Sequence, residues 1–233
     1  MSKLIFNSAF IEARYNKSLL FEDLSKLQLI IRRNVEDFPF SDYNKDDKAL
    51  VLRNNTKMML VSVFDNRFVI EATSPKTYEN FKAIANKIMR EIVSALDIIK
   101  FNRFGLCSLR GVAKDNINAV DSYIKDKFLK FNENDLNKLG SDFLNFTLSF
   151  NFKTNDYGVR LSLCPANYQR IEINGSNSTT ISTTQVLVDS DIYQEGILDV
   201  EKVIAHFVRD ASNINSSNID SFIESVGVLR DGE

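Results

Sequence analysis

The sequence predicts an α+β protein of two pseudo-equivalent halves, each an antiparallel sheet backed by helices. Three observations lead there. Ser74 to Val112 reads as a long amphipathic helix, a corner and a strand. The segments on either side repeat one plan: strand, helix, three or four strands, helix. The three strand-like runs between Ala49 and Thr73 leave no room for the crossover helices that parallel pairing requires. The expected halves are residues 1–100 and 101–233. Their residues barely match, so the repeat is one of plan. Each sheet has an apolar face that its helices must cover, and the two can share one continuous sheet.

The first half starts with a strand from Leu4 to Tyr15, with Phe6, Phe10 and Ile11 as core candidates. A helix from Leu20 to Val35 follows, because Leu20, Leu24, Leu27, Ile31 and Val35 form a stripe. Glu36 to Lys48 is charged, contains Pro39 and reads as a loop. Strands are expected at Ala49–Arg53, Met58–Phe64 and Arg67–Thr73. Asp65-Asn66 suits a two-residue hairpin, since both types tolerate positive φ. Phe64, Phe68 and Ile70 are then expected on one buried face. The helix from Thr77 to Leu96 places Tyr78, Phe81, Ile84, Ile88, Ile92 and Leu96 on one side. Ser74 and Pro75 suit its cap and first position.

The second half opens with a strand from Phe104 to Val112 and a helix from Asn116 to Phe128, with Ile117, Val120, Ile124 and Phe128 in register. A polar loop covers Lys130 to Asp142. Phe143 to Lys153 alternates Phe146, Leu148, Phe150 and Phe152 with polar residues, the period of a half-buried strand. Val159 to Cys164 returns, and Pro165 is expected to end it. Arg170 to Ile173 forms a short strand, Gly175 to Ser178 a turn, and Thr180 to Ile192 a long strand. Val200 to Ala211 and Ile219 to Val226 are helices, followed by a loose tail.

A composition of 44% hydrophobic and 26% charged residues predicts a packed core over disorder. The net charge of -2 gives no overall attraction to nucleic acid or an anionic membrane. The N-terminus lacks a signal-peptide core, because Asn7, Ser8 and Glu12 interrupt it. No apolar run reaches the ~20 residues of a membrane span. A soluble cytoplasmic protein is expected. Cys107 and Cys164 read as reduced core residues.

Two short segments carry a family resemblance. In FNRFGLCSLRGV, Phe101 to Val112, the Gly105-Leu106 pair follows the long helix. In VLVDSDIY, Val186 to Tyr193, an Asp-x-Asp pair sits late in the chain. A helix bearing His206 and a terminal helix bearing Phe222 come after. This order is similar to that of a sporadically distributed bacterial family of uncharacterised proteins, with a Gly-Leu-Arg-Tyr-like strand and an aspartate-rich late strand. Cys107 and Ser108 replace the Arg-Tyr pair. The resemblance implies no activity and no catalytic residue. The family's scattered distribution implies a mobile or defence-associated gene.

Three polar sets are candidate sites. Asp189 and Asp191 point to the same side of a strand and, with Glu195, form a candidate set for Mg²⁺ and a phosphate. The competing reading is a strand end emerging into solvent. Arg103, Arg110 and Arg160 form a candidate anion-binding set if they share a sheet face; the alternative is a solvated face with cross-strand charge pairs. His206, the only histidine, reads as a packed structural residue over a general base. No phosphate loop, dinucleotide fingerprint or nucleophile elbow is present. No cofactor is expected. The leading expectation is a non-enzymatic module binding another protein or itself by sheet edge or face. Behind it stand a nucleic-acid-binding saddle and a metal-dependent phosphoryl-transfer enzyme using Asp189 and Asp191.

Overall fold

The computed structural model describes residues 4–44, 46–73, 78–113, 128, 147–174 and 177–226. Nine strands form one sheet: β1 (Ile5–Arg14), β2 (Phe40–Asn44), β3 (Ala49–Asn54), β4 (Met59–Val63), β5 (Arg67–Thr73), β6 (Lys100–Ala113), β7 (Leu148–Thr154), β8 (Tyr157–Asn174) and β9 (Asn177–Asp199). Their order is β2-β3-β4-β5-β1-β6-β9-β8-β7, and every pairing is antiparallel. Among the described residues four α-helices accompany it: α1 (Leu24–Asn34), α2 (Tyr78–Leu96), α3 (Val200–Asn213) and α4 (Asp220–Ser225). The α+β class and the large antiparallel sheet are as the sequence predicts. No described helix is long and apolar enough to cross a membrane.

Because side chains alternate along each strand, the register sorts the sheet into two faces. One row runs Ser41, Leu52, Val61, Ile70, Ile11, Leu106, Ile192, Val159, Phe152 across all nine strands. Its seven interior members are buried. The helices lie over this face. Phe81, Ile88, Ile92 and Leu96 of α2 are buried as their spacing predicts, while Ile84 is only partly buried and joins the same core. Ser18 Oγ donates to the carbonyl of Leu96 at 2.8 Å, which pairs an orphan carbonyl of the last turn of α2. From α3, Phe207 meets Phe104 edge to face, with ring centroids 4.7 Å apart.

Several elements differ from expectation, each for a local reason. The helix predicted over Leu20 to Val35 is a 3₁₀ turn at Leu19–Glu22 and then α1. Asp23 lies between them in an extended conformation and caps Ser25 N–H, so the helical phase restarts. The inward side of α1 is Leu27, Ile30 and Asn34, and Leu24 and Val35 are exposed. The expected loop from Glu36 to Lys48 contains β2, a short polar edge strand that begins directly after Pro39. β8 continues through Pro165 and takes in Arg170 to Ile173. The described pairing with β7 ends at Leu148 opposite Leu163. From there β8 is flanked by β9 alone among the described residues, the edge condition under which a strand tolerates proline.

β9 extends to Asp199, beyond the expected end at Ile192. The register slips between Phe101 and Arg103 against Leu198 and Glu195, so β9 carries an extra residue there. Gly196 at φ 114 supplies the backbone that this bulge needs. The two-residue link at Asp65-Asn66 is present, with Phe64 N–H bonded to the Arg67 carbonyl at 2.8 Å. Neither residue has positive φ. Phe64 stays outside the buried set that holds Phe68 and Ile70, and the Arg67 guanidinium lies 4.6 Å from its ring. The predicted last helix, Ile219 to Val226, is α4, and a π-helical turn that was not expected, Ile214–Ile219, leads into it. The expected helix cap at Ser74 and Pro75, most of the helix from Asn116 to Phe128, the loop from Lys130 to Asp142, the first residues of the Phe143 strand and the tail fall outside the described residues.

Truncating Ile88, fully buried in α2, to alanine is expected to cost about 2–5 kcal/mol. Leu24→Ala, 62% exposed, is expected to change stability by less than about 0.5 kcal/mol. Urea midpoints at unchanged slope measure both, and equal shifts would refute the placement of the two helices.

Candidate binding face

The sheet face opposite the helices carries the charged half of the alternation. A second row across all nine strands reads Phe40, Arg53, Leu60, Glu71, Phe10, Cys107, Asp191, Arg160, Asn151. The neighbouring row holds Asp42, Glu12, Tyr193 and Lys153.

Three arginines stand side by side at one end of this face. Arg67 of β5 is opposite Arg14 of β1, and Arg14 is opposite Arg103 of β6. Like charges placed directly across strands repel. Glu12 relieves the repulsion. Its Oε2 accepts from Arg14 Nη2 at 3.0 Å and from Arg103 Nη1 at 3.0 Å, and its Oε1 lies 4.0 Å from Arg67 Nη1. The Glu12 hydrogen bond holds the Arg14 guanidinium above its ordinary pKa. Arg103 continues the chain, bonding Asp191 Oδ2 at 3.0 Å and lying 3.5 Å from a Glu195 carboxylate oxygen. It also sits 5.0 Å from the Tyr193 ring centroid. Tyr193 lies down against the sheet over Gly158, where a Cβ would come within 2.5 Å of the ring.

Asp189 and Asp191 share one face of β9, as their spacing predicts, and Glu195, expected beyond the end of the strand, lies on the same face because β9 continues past Ile192. Each carboxylate is already engaged: Asp191 and Glu195 by Arg103, and Asp189 by the Cys107 thiol, which donates to it at 3.2 Å. Among the described residues no three His, Cys, Asp or Glu side chains converge as a metal-holding group. Burial raises the Asp191 pKa against the opposing pull of Arg103, and burial next to Asp189 keeps Cys107 protonated. Cys107 and Cys164 are free and half-buried on this face, which corrects their reading as core residues.

The arginine set predicted from the sequence is divided. Arg103 and Arg160 are on the charged face, Arg160 directly opposite Asp191. Arg110 lies on the helix side, 7% exposed, where it pairs with Asp220 and donates to Asn215 Oδ1 at 3.1 Å. Ser108 and Ser190 Oγ atoms, 2.7 Å apart, join Asn215 and complete a buried polar group under the π-turn. Burial raises Asp220, opposed by Arg110. Arg103 and Arg110 stand an odd number of residues apart in β6, which puts Arg110 on the opposite face from Arg103, and that parity is the signal the sequence carried. His206 is exposed on α3, 3.4 Å from Arg209, which corrects its reading as a packed residue. With Tyr157 and Asp210, themselves bonded at 2.9 Å, it lines a shallow cleft of about 320 Å³.

The sequence reading missed the cluster built on Glu12, Arg14 and Arg67. The alternation of Phe10, Glu12 and Arg14 in β1 marks a charged outer face, but adjacency to Arg67 depends on the pairing of β1 with β5. Compared with protein-family models and with curated proteins, the chain matches none.

Two outcomes are expected. Glu12→Gln removes the carboxylate shared by the arginines and costs roughly 2–4 kcal/mol by denaturation; a neutral substitution would show that the ion group does not hold the seam. Because the Asp191 pKa is raised, the folded chain holds that proton more tightly than the unfolded chain. That contribution is complete below the ordinary value of 3.8 and is lost as pH rises through the raised native value. Stability curves at stepped pH should thus show Asp191→Asn gaining on wild type as pH rises through this window. A constant or opposite difference would contradict the assignment.

Proposed function

We propose that the chain is a non-enzymatic protein-interaction module that engages its partner through the charged face of the nine-stranded sheet. One observation carries the reading: that face intersperses cations and anions across its whole width. Arg14, Arg53, Arg67, Arg103, Arg160 and Lys153 are matched one for one by Glu12, Asp42, Glu71, Asp189, Asp191 and Glu195. A nucleic-acid saddle needs a face of one sign to displace counterions along the phosphate backbone. A mosaic of both signs, with Phe10 at 39% exposure among them, suits a partner surface of complementary pattern. Electrostatic matching of that kind gives specificity.

The two halves enter this reading as pseudo-equivalent units. Each meander, β2 to β5 and β7 to β9, ends beside the strand that opens its own half, and the opening strands β1 and β6 pair at the centre. The joined unit presents one broad face. In this reading the partner belongs to a mobile or defence-associated locus, which is what the resemblance to a scattered bacterial family implies.

The test is copurification of the tagged chain from its native cells, with cross-linking to map the contact. Wild type and Leu24→Asp, altered on the outer side of α1, are expected to retain a stoichiometric partner. Phe10→Thr combined with Arg160→Gln is expected to lose it. Retention by the double variant together with loss in Leu24→Asp would place the interface on the helices and end this proposal.

A further inference from the structure

We infer that the arginine row binds an acidic peptide segment of the partner, in the cleft beside it; this rests on the interaction-module reading and gives it a partner chemistry. The cleft has a volume of about 1020 Å³ and is lined by Arg14, Arg67, Lys48, Asn44, Asn66 and Asn102 among others. It lies where the β2–β3 and β4–β5 turns and the start of β6 meet the charged face.

Charge accounting identifies the ligand. Arg103 has Asp191 and Glu195 as well as Glu12. Arg14 and Arg67 have only Glu12 between them among the described residues, so one guanidinium charge is left over. Lys48 has no carboxylate within 4.0 Å among the described residues. Two acids also line the cleft: Asp65 is answered by Lys17 at 3.3 Å, whereas Asp47, held by Asn44 Nδ2 at 2.7 Å, keeps its charge, so Glu12 and Asp47 stand against Arg14, Arg67 and Lys48 and the cleft stays net positive. The arginine side chains are 53% and 48% exposed, so their remaining N–H donors are open to a ligand.

The arrangement is also unfavourable without one. Arg67 and Arg14 are directly opposed, and Glu12 reaches Arg67 only at the 4.0 Å limit. A carboxylate entering the cleft can accept from the forked N–H groups of Arg67 or Arg14 and lower that repulsion. Asn44 is taken up by Asp46 and Asp47 and the Asn102 amide donates to Asn16, but the Asn66 carboxamide and Asn102 Oδ1 line the cleft as a donor and acceptors that a peptide backbone uses and a bare phosphate ester chain does not. The strip is also only a few residues wide within a balanced mosaic, too short to track a nucleic-acid backbone. An acidic peptide is therefore favoured over nucleic acid.

Fluorescein-labelled hexaglutamate titrated into the full-length protein tests the assignment by fluorescence anisotropy. Wild type is expected to bind it, with affinity falling as salt rises from about 50 to 200 mM. Arg67→Gln and Lys48→Gln, the second in an exposed turn where the fold does not depend on it, are each expected to weaken binding about tenfold. The melting temperature of Arg67→Gln should match or exceed that of wild type, since a repulsive pair is relieved. No binding by wild type, or binding by both variants as tight as by wild type, overturns the proposal. A lowered melting temperature of Arg67→Gln with unchanged peptide binding assigns the row to folding and also overturns it. Displacement of hexaglutamate by stoichiometric oligothymidylate would make the occupant a nucleic acid and end the peptide assignment. Failure here with the copurified partner still held by the charged face would remove the cleft assignment alone and leave the module reading in place.

Discussion

The antiparallel pairing of β1 with β6 is the constraint on which the rest of the molecule depends. Each of these strands is the inner boundary of a meander, and their register decides whether two small sheets become one large one. Side chains alternate with a period of two, so a slip of one residue at this seam would turn every side chain of one half to the wrong face. The observed register aligns Ile11 with Leu106 and Ala13 with Phe104 on the helix side, and Glu12 with Gly105 on the other. The core is continuous because that alignment is kept. The same register gathers Arg14, Arg67 and Arg103.

Two polar groups flank this seam, one on each face, and they differ in solvation. On the helix side, Arg110, Asp220, Asn215, Ser108 and Ser190 are joined under the π-turn. A charge so placed is costly unless paired and hydrogen-bonded. The extra residue of the π-turn keeps Asn215 buried, where its carboxamide bonds Arg110, Ser190 and Ser108 at once. This fastens the chain after α3 to β6 and β9. On the charged face, Glu12 is buried while two of its arginines reach solvent. A group exposed in this way is fixed at its root and free at its tips, the combination a recognition surface needs.

How much of this was legible in the sequence depends on how local each cause was. The stripe of α2 and the alternation in β5 and β7 are set by neighbours along the chain, and the sequence read them; in β1 it put Phe10 in the core beside Ile11, whereas alternation turns Phe10, 39% exposed, to the charged face. The α1 stripe failed because Asp23 restarts the helix, a capping event that a run of leucines hides. β2 failed because an edge strand answers to the strand beside it; its core side carries Ser41 and Tyr43, of which Tyr43 packs on Phe21. β8 passed through Pro165 because its second neighbour stops short there. The site divided along the same line. Asp189 and Asp191 were read onto one face because they belong to one strand, while Glu195 joins them because β9 runs past the expected end at Ile192. The separation of Arg110 from Arg103 follows from their odd spacing along β6 and was open to a parity count, whereas the cluster of Glu12, Arg14 and Arg67 required knowing which strands are neighbours.

The chemistry of the face follows from how its charges are already occupied. Asp191 and Glu195 answer Arg103, Asp189 accepts from a thiol that burial keeps protonated, and Tyr193 is pressed flat over Gly158. Groups so engaged hold one another in place, and a reacting substrate would first have to break those bonds. A partner that adds to the pattern needs no such disruption. It meets side chains whose positions are fixed before contact, which reduces the entropy lost on association. The unsatisfied charge lies at the periphery of the network, on Arg14, Arg67 and Lys48, where a ligand can complete it without displacing any existing pair.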